Sequence, residues 1–434
     1  MNSLRTFSSG LEWGAEIFVR VWNLLRARMS DELSFADYES RLDRSIKVKA
    51  PDFCSGERLK HLIFSGQFTR PLLDKLCRLA DKIRLLAKSK EGHRYLNTLL
   101  SHKRAMLYFT QPSTRTFMSF AAACQILGMT CNEVRDLSVS SEAKGESPFD
   151  SMRMFSSYFD LVIMRSHIPK FAECCGYMMN TLANSQRRSV PIVNAGAGSD
   201  EHPTQALLDI YTIQRAFSFT HAKDSRQWTR YDELRESFPG LRKGIAGKTI
   251  GFCGDIRRGR TVRSLAQLLT LHEQVRLVFI SPPHPALSLP RDLKDKLIDA
   301  KVDVRECHSL EAHLDGKPVI EQLDALYMTR IQREHNSGAE EQEFNELDFS
   351  QFKLSKSLVS RMKPYAAILH PFPRDKDFGE IPPAIDDDER AFYFRQARNG
   401  MWARAALIAH LFDVDGEIND YYEQYNSEMQ IAPQ

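Results

Sequence analysis

From about residue 57 the chain alternates short apolar runs, bounded by turn residues, with stretches of helical periodicity. The runs fall at 105–110, 161–165, 190–194, 249–254, 275–280, 325–329 and 366–369. Runs of this length without polar alternation read as strands buried on both faces. Their succession with helices implies parallel sheets joined by right-handed crossovers. Leu72, Leu76, Leu79, Ile83 and Leu86 trace one face of a helix over roughly 71–87. The pattern breaks at 218–246, which is polar and only weakly helical, as a linker or surface insertion would be. A helix over about 389–412 is long enough to run from a second domain back to a first. The predicted fold class is α/β: two doubly wound parallel-sheet domains joined by helices, with the C-terminal helix returning to the first domain. The boundaries read as an N-terminal extension at 1–56, a first domain at 57–215 completed by about 400–425, a linker at 216–247 and a second domain at 248–399.

The extension has its own pattern. Leu11, Ile17, Phe18, Val21, Trp22, Leu24 and Leu25 recur at rough helical spacing among arginines. Glu12 and Glu16 argue against a transit peptide, a segment type that avoids acids. An accessory helix, or a start of translation at Met29, fits better, while organelle targeting stays open and a cytoplasmic location is expected.

Composition narrows the classes. Of 434 residues 42% are hydrophobic and 26% charged, the balance of a globular chain and not of a disordered one. A net charge of +3 is too close to neutral to make nucleic acid the main partner. No apolar run is long enough for a membrane span. The eight cysteines form no CxxC and no zinc-finger spacing, so they read as reduced thiols, mostly core filler.

In open parallel sheets ligands bind beyond the carboxyl ends of the strands, so the residues there are the first candidates for a site. After the run at 105–110 comes QPSTRT and then a helical stretch. Ser113 can cap that helix, and Thr114, Arg115 and Thr116 place hydroxyls and a guanidinium at its positive dipole end, a phosphate cradle. An ordinary Ser/Thr cap with an exposed arginine is the competing reading. Arg165, Arg260 and Arg330 also fall at or just past strand ends, with His202 and Gln205 among them. Several arginines on one sheet edge point to an anionic ligand of more than one charge, because Arg grips phosphate and carboxylate bidentately. No metal-ligand cluster and no Ser–His–Asp or Cys–His arrangement accompanies them, so transfer chemistry without metal or cofactor is expected. GDIRRGRT at 254–261 imitates a P-loop, but it has Arg for the motif lysine and puts Asp255 where phosphate would sit.

PSTRT at 112–116, Ser140 and Lys144 of SxxxKGE, MRS around Arg165, HPTQALLD from His202, GDxxxGRTVxSL from Gly254, LYMTRIQRE from Leu326 and LHPFPR from Leu369 together resemble the aspartate carbamoyltransferases over roughly 57–425. LYMTRxQ, HPxPR and the KGE lysine favour the aspartate branch over the ornithine one. The resemblance implies transfer of the carbamoyl group of carbamoyl phosphate to L-aspartate, giving N-carbamoyl-L-aspartate and phosphate in pyrimidine synthesis. It also implies roles. Ser113, Thr114, Arg115, Thr116 and Arg165 hold the phosphate. Arg115, Thr116 and His202 face the carbonyl oxygen. Gln205 and the backbone carbonyls of Pro371 and Phe372 take the carbamoyl NH₂. Arg260, Arg330 and Gln332 hold the carboxylates of aspartate. Ser140 and Lys144 reach into a neighbouring subunit's site, which implies a homotrimer with shared active sites.

Three positions depart from the family pattern. Gln111 stands where Glu is usual and His335 where Arg is usual, so both halves of one closure-holding ion pair are altered. Phe372 replaces a leucine whose role is through its backbone, so its ring is expected to matter little. Repulsion from four guanidiniums is expected to lower the pKa of His202 and leave it a hydrogen-bond donor. A carbamoyltransferase for another amino acid and a non-catalytic paralogue acting as a binding subunit are the alternatives. Association with regulatory or dihydroorotase-like chains is left open.

Overall fold

The computed structural model describes residues 40–136, 145–186, 188, 190–196, 201–218, 230–331, 347–376 and 379–431. The periodic stretch at 11–28, Ser140, Lys144, Gln332 and His335 lie outside the described residues.

Two parallel sheets form the frame. The first contains β1 (Arg104–Phe109), β2 (Thr130–Val134), β3 (Leu161–Arg165) and β4 (Ile192–Asn194), in the order β2-β1-β3-β4. The second contains β5 (Thr249–Cys253), β6 (Arg276–Ile280), β7 (Asp303–Cys307), β8 (Ala325–Met328) and β9 (Ala367–Leu369), in the order β9-β8-β5-β6-β7. The interior strands are the continuous apolar runs: Ala105 to Phe109 and Leu161 to Met164 are all buried. In each sheet the chain starts in the interior, builds outward to one side and then crosses to the other. The reversals fall between β1 and β3 and between β5 and β8, the points where such sheets bind ligands.

β2 and β7 were not foreseen. Their sequences, TCNEV and DVREC, are largely exposed at sheet edges, so they lack the apolar run that marks an interior strand.

The principal helices are α1 (Arg70–Leu86), α2 (Lys90–Leu99), α3 (Thr114–Ile126), α4 (Pro148–Tyr158), α5 (Phe171–Gln186), α6 (Pro203–Ala216), α7 (Arg230–Ser237), α8 (Arg260–Leu269), α9 (Arg291–Asp299), α10 (Tyr393–Leu411) and α11 (Asp415–Ile431). α1 starts where expected because the Thr69 hydroxyl accepts from Leu72 N–H. α10 follows the second sheet yet packs on α1, α3 and α6 of the first, the expected return. α11 was missed: its sequence is polar and it docks through a sparse aromatic edge, Tyr421 stacking on Tyr95 at 3.7 Å between ring centroids. Part of the expected linker is helical as α7, with Leu234 and Phe238 packed against the core. The described part of the N-terminal extension is likewise built in. Leu42 and Phe53 are buried, and Lys49 forms a buried ion pair with Glu173 at 2.7 Å.

Candidate active site

The first sheet's reversal brings together the ends of β1 and β3, where Gln111 N–H donates to the Arg165 carbonyl at 3.1 Å. Ser113 occupies the N-cap of α3, but its side chain makes no capping bond, contrary to expectation. The hydroxyl and the first-turn N–H groups therefore both remain to meet an anion at the positive end of the helix. Thr114 and Arg115 are exposed and Thr116 is buried.

The Arg115 guanidinium lies over the Phe372 ring, 5.7 Å from its centroid, and Arg374 lies 5.9 Å from the same ring. The ring at 372 thus contacts a candidate site arginine, a contact that the expectation of a role through the backbone did not include. Phe372 adopts a left-handed φ of 55°, a strained choice for a bulky residue. His370 holds it there: its Nδ1 accepts from Phe372 N–H at 2.8 Å, so Nε2 carries the proton and donates to Glu380 at 2.7 Å. Both His370 and Glu380 are buried.

A second group forms around residues 195–196. Arg165, the last residue of β3, donates from Nη1 to the Ala195 carbonyl at 3.2 Å. Arg260, the first residue of α8, donates from Nη1 to the Gly196 carbonyl at 3.3 Å. Gly196 has φ 95°, and a Cβ there would stand 2.6 Å from His202 Cδ2 and 2.7 Å from Arg165 Nη1. Only glycine lets the imidazole and the guanidinium close on this turn. Burial, together with Arg260, lowers the Arg165 pKa to about 10. A cleft of about 900 Å³ lined by Gln111, Asn194, Glu201 and Arg260 opens beside the pair.

His202 precedes Pro203 at the start of α6 and is buried, its backbone N–H donating to Ser264 Oγ at 3.3 Å. Its pKa is held well below the ordinary imidazole range, first by burial and then by Arg165, Arg404 and Arg260. The direction is the expected one, but desolvation leads, and the distant partner is Arg404 rather than Arg115. Sequence reasoning missed Arg404. It sits on α10, fully buried, donates to Ser119 Oγ at 2.6 Å, and burial lowers its pKa to about 9. Nothing near it in the sequence marked it, because its place depends on the return of α10.

Gln205 lies one turn into α6, buried, with Nε2 donating to Asp209 Oδ1 at 2.9 Å. Pro371 and Phe372 follow β9, and Arg330 follows β8 at the second sheet's reversal, half-buried next to Thr329. The structure thus groups Arg165, His202 and Arg260 at one turn and Arg115 with Phe372 at another, and places Arg330 at the same sheet's edge. Asp255, the P-loop imitation's acid, is buried with Oδ1 accepting from Arg258 N–H at 3.0 Å, so a carboxylate already fills that loop.

The family model described as aspartate/ornithine carbamoyltransferase, carbamoyl-P binding domain, matches residues 60–215, and the Asp/Orn binding domain model matches 246–411. The aspartate carbamoyltransferase catalytic subunit of Clostridium acetobutylicum is 34% identical over 363 residues, covering 82% of this chain and 98% of its own. The catalytic subunit of M. Jannaschii aspartate transcarbamoylase superposes with TM-score 0.65 at 33% identity, covering 82% of this chain and 98% of that one. Aspartate transcarbamoylase from Trypanosoma cruzi, in complex with carbamoyl phosphate and aspartate, superposes with TM-score 0.64 at 28% identity, covering 80% and 95%. With two parallel sheets meeting at an arginine-walled turn and both domain models matched in order, the chain belongs to the aspartate/ornithine carbamoyltransferase family.

Proposed function

We propose that this chain transfers the carbamoyl group of carbamoyl phosphate to the amino group of L-aspartate, giving N-carbamoyl-L-aspartate and phosphate. The observation that carries this reading is the meeting of Arg165, Arg260 and His202 at the 195–196 turn, two guanidiniums from different sheets beside a neutral imidazole. Residues 57–215, completed by the C-terminal helix, form the carbamoyl phosphate domain, and residues 248–399 form the aspartate domain. Ser113, Thr114, Arg115, Thr116 and Arg165 hold the phosphate. Arg260, Arg330 and Gln332 hold the aspartate carboxylates.

The neutral aspartate amine attacks the carbamoyl carbon and charge collects on the carbonyl oxygen. Arg115, Thr116 and His202 donate to that oxygen, and each such donor contributes roughly 10²–10³ in rate. Burial beside three guanidiniums keeps His202 unprotonated and so a donor rather than a cation. The departing phosphate takes the amine proton as the C–O bond breaks, so a strong general base is not required. Ser140 and Lys144 complete a neighbouring subunit's site, which makes the working unit a homotrimer. Met118 on α3 and Met154 and Tyr158 on α4 are large exposed hydrophobic side chains of the first domain, available to contacts between copies. Among the described residues no helix is long and apolar enough to cross a membrane.

Assay of the purified chain with carbamoyl phosphate and either L-aspartate or L-ornithine tests the reading. N-carbamoyl-L-aspartate should form and citrulline should not. Turnover with ornithine alone, or no turnover with either, overturns it. Native mass measurement should give three chains.

A further inference from the structure

A buried carboxylate stands behind the groups assigned to the carbamoyl nitrogen. Asp209 lies one turn beyond Gln205 on α6 and is fully buried. Its Oδ1 accepts from Gln205 Nε2 at 2.9 Å and from Gln396 Nε2 at 2.6 Å, and its Oδ2 accepts from the Tyr327 hydroxyl at 2.8 Å. Gln396, on α10, uses its Oε1 to accept the backbone N–H of His370 at 2.8 Å. The joint therefore ties α6 of the first domain to β8 of the second and to the loop that carries Pro371 and Phe372.

A side-chain amide has a donor end and an acceptor end, and it can be turned either way in nearly the same space. Oδ1 of Asp209 accepts from both amides, and it remains an acceptor even with a proton on Oδ2 toward the Tyr327 hydroxyl, so it draws the donor end of each amide to itself. With Nε2 of Gln205 committed to Asp209, the atom left to that side chain for a ligand is Oε1, an acceptor. With Nε2 of Gln396 committed likewise, its Oε1 turns to the His370 amide and fixes the backbone just before the carbonyls at 371 and 372.

We propose that Asp209 is a specificity-determining positioning residue, one buried carboxyl group that orients the amides of Gln205 and Gln396 so that the wall facing the nitrogen of the transferred group offers only acceptors. Such a wall selects an acyl group bearing N–H and rejects one bearing a methyl, because buried acceptors left unpaired are costly. This rests on the roles given above to Gln205, Pro371 and Phe372.

Acetyl phosphate is the probe, since it keeps the phosphate and the carbonyl and puts a methyl where carbamoyl phosphate has NH₂. In the full chain the KM for carbamoyl phosphate and the competitive inhibition constant of acetyl phosphate are measured on the same preparation, so their ratio does not depend on the fraction folded. Asp209→Leu should weaken carbamoyl phosphate about tenfold or more and acetyl phosphate less than about threefold. Asp209→Asn keeps an acceptor oxygen for the two glutamines and turns its NH₂ to the Tyr327 hydroxyl, so it should restore the ratio to within about threefold of the parent. Equal weakening of both ligands by Asp209→Leu, or an unchanged ratio, overturns the proposal, as does a ratio in Asp209→Asn as poor as in Asp209→Leu. If Asp209→Leu does not fold, Gln396→Met cuts the link to His370 at similar volume and should lower the ratio at least about threefold; no fall overturns the proposal. Gln205→Ala separates the two levels. If it leaves carbamoyl phosphate binding intact, the site reading fails; if it weakens binding while the Asp209 ratio stays fixed, only this inference fails.

Discussion

Arg165 and Arg260, one ending a strand of the first sheet and the other opening the helix that follows the first strand of the second, donate to the consecutive carbonyls of Ala195 and Gly196, at 3.2 and 3.3 Å. Each carbonyl fixes its guanidinium on the same turn, so two like charges stand side by side there. Their repulsion contributes to the lowered pKa of Arg165.

The turn itself should be intolerant of any side chain. In Gly196→Ala the new Cβ would press on the His202 ring and on Arg165 Nη1 from a left-handed backbone. Steady-state assay should show kcat/KM reduced at least about 10²-fold, the scale of one misplaced oxyanion donor. Thermal melting should show a loss of about 1–3 kcal/mol for the strained φ. Activity near that of the parent would remove the turn from the site.

Arg115 makes its recorded ring contact with Phe372 and is exposed, so its loss should be felt in turnover and not in stability. Arg115→Ala should reduce kcat by roughly 10²–10³ with an unchanged melting temperature. Arg115→Lys should recover little, because an ammonium lacks the planar fork. Phe372→Leu removes the ring beneath the guanidinium and should raise the KM for carbamoyl phosphate modestly, about two- to fivefold, on the scale of an exposed cation–π contact. A KM unchanged in that variant would show that the backbone alone matters at 372.

His272 gives a pH prediction. It is buried, neither ring nitrogen has a hydrogen-bond partner among the described residues, and desolvation followed by Arg70 lowers its pKa to about 4. Its folded pKa is below the unfolded value of about 6.5, so the unfolded chain binds the proton more readily. The contribution is complete above pH 6.5 and is lost as pH falls toward 4. At pH 5 the loss is about 2 kcal/mol. Urea denaturation of the parent and of His272→Leu at pH 7 and pH 5 should show the variant gaining about that much on the parent at the lower pH. Equal shifts in the two proteins would exclude His272 as the acid-sensitive group. Asp209 works in the opposite sense, since burial raises it to about 7, and it cancels in the comparison of the two proteins.

Lys49 and Glu173 tie the N-terminal extension to α5, with side chains 6% and 3% exposed. Lys49→Met would remove the buried cation that faces the Glu173 carboxylate and should cost about 3–5 kcal/mol. The double variant Lys49→Met with Glu173→Leu should recover most of that, because well-packed apolar residues replace a buried pair at little cost. Denaturation midpoints read both values. A double variant as unstable as the single one would show that the pair does more than neutralise itself.

Much of the architecture was legible in the chain. Strands buried on both faces show as apolar runs whether interior or, like β4 and β9, at a covered edge, so the runs announced β1, β3, β4, β5, β6, β8 and β9, and the residues just beyond them were the site candidates. The edge strands Thr130–Val134 and Asp303–Cys307 stayed hidden because a half-wet strand needs no apolar run, and α11 because an aromatic edge suffices to dock it. Helix periodicity also foretold the length of α10 but not what it delivers.

Residue order thus determined the fold class, the positions of the arginines past the strand ends and the family motifs, all of which depend on local pattern. Tertiary structure decided which charges meet. Arg404 joins His202 only because α10 folds back, Arg115 finds the Phe372 ring only because the β9 loop turns toward it, and Asp209 gathers three partners from three elements. Burial of those groups, and so the neutrality of His202, exists only when distant segments exclude water together. That is a property of packing, and no stretch of sequence carries it alone.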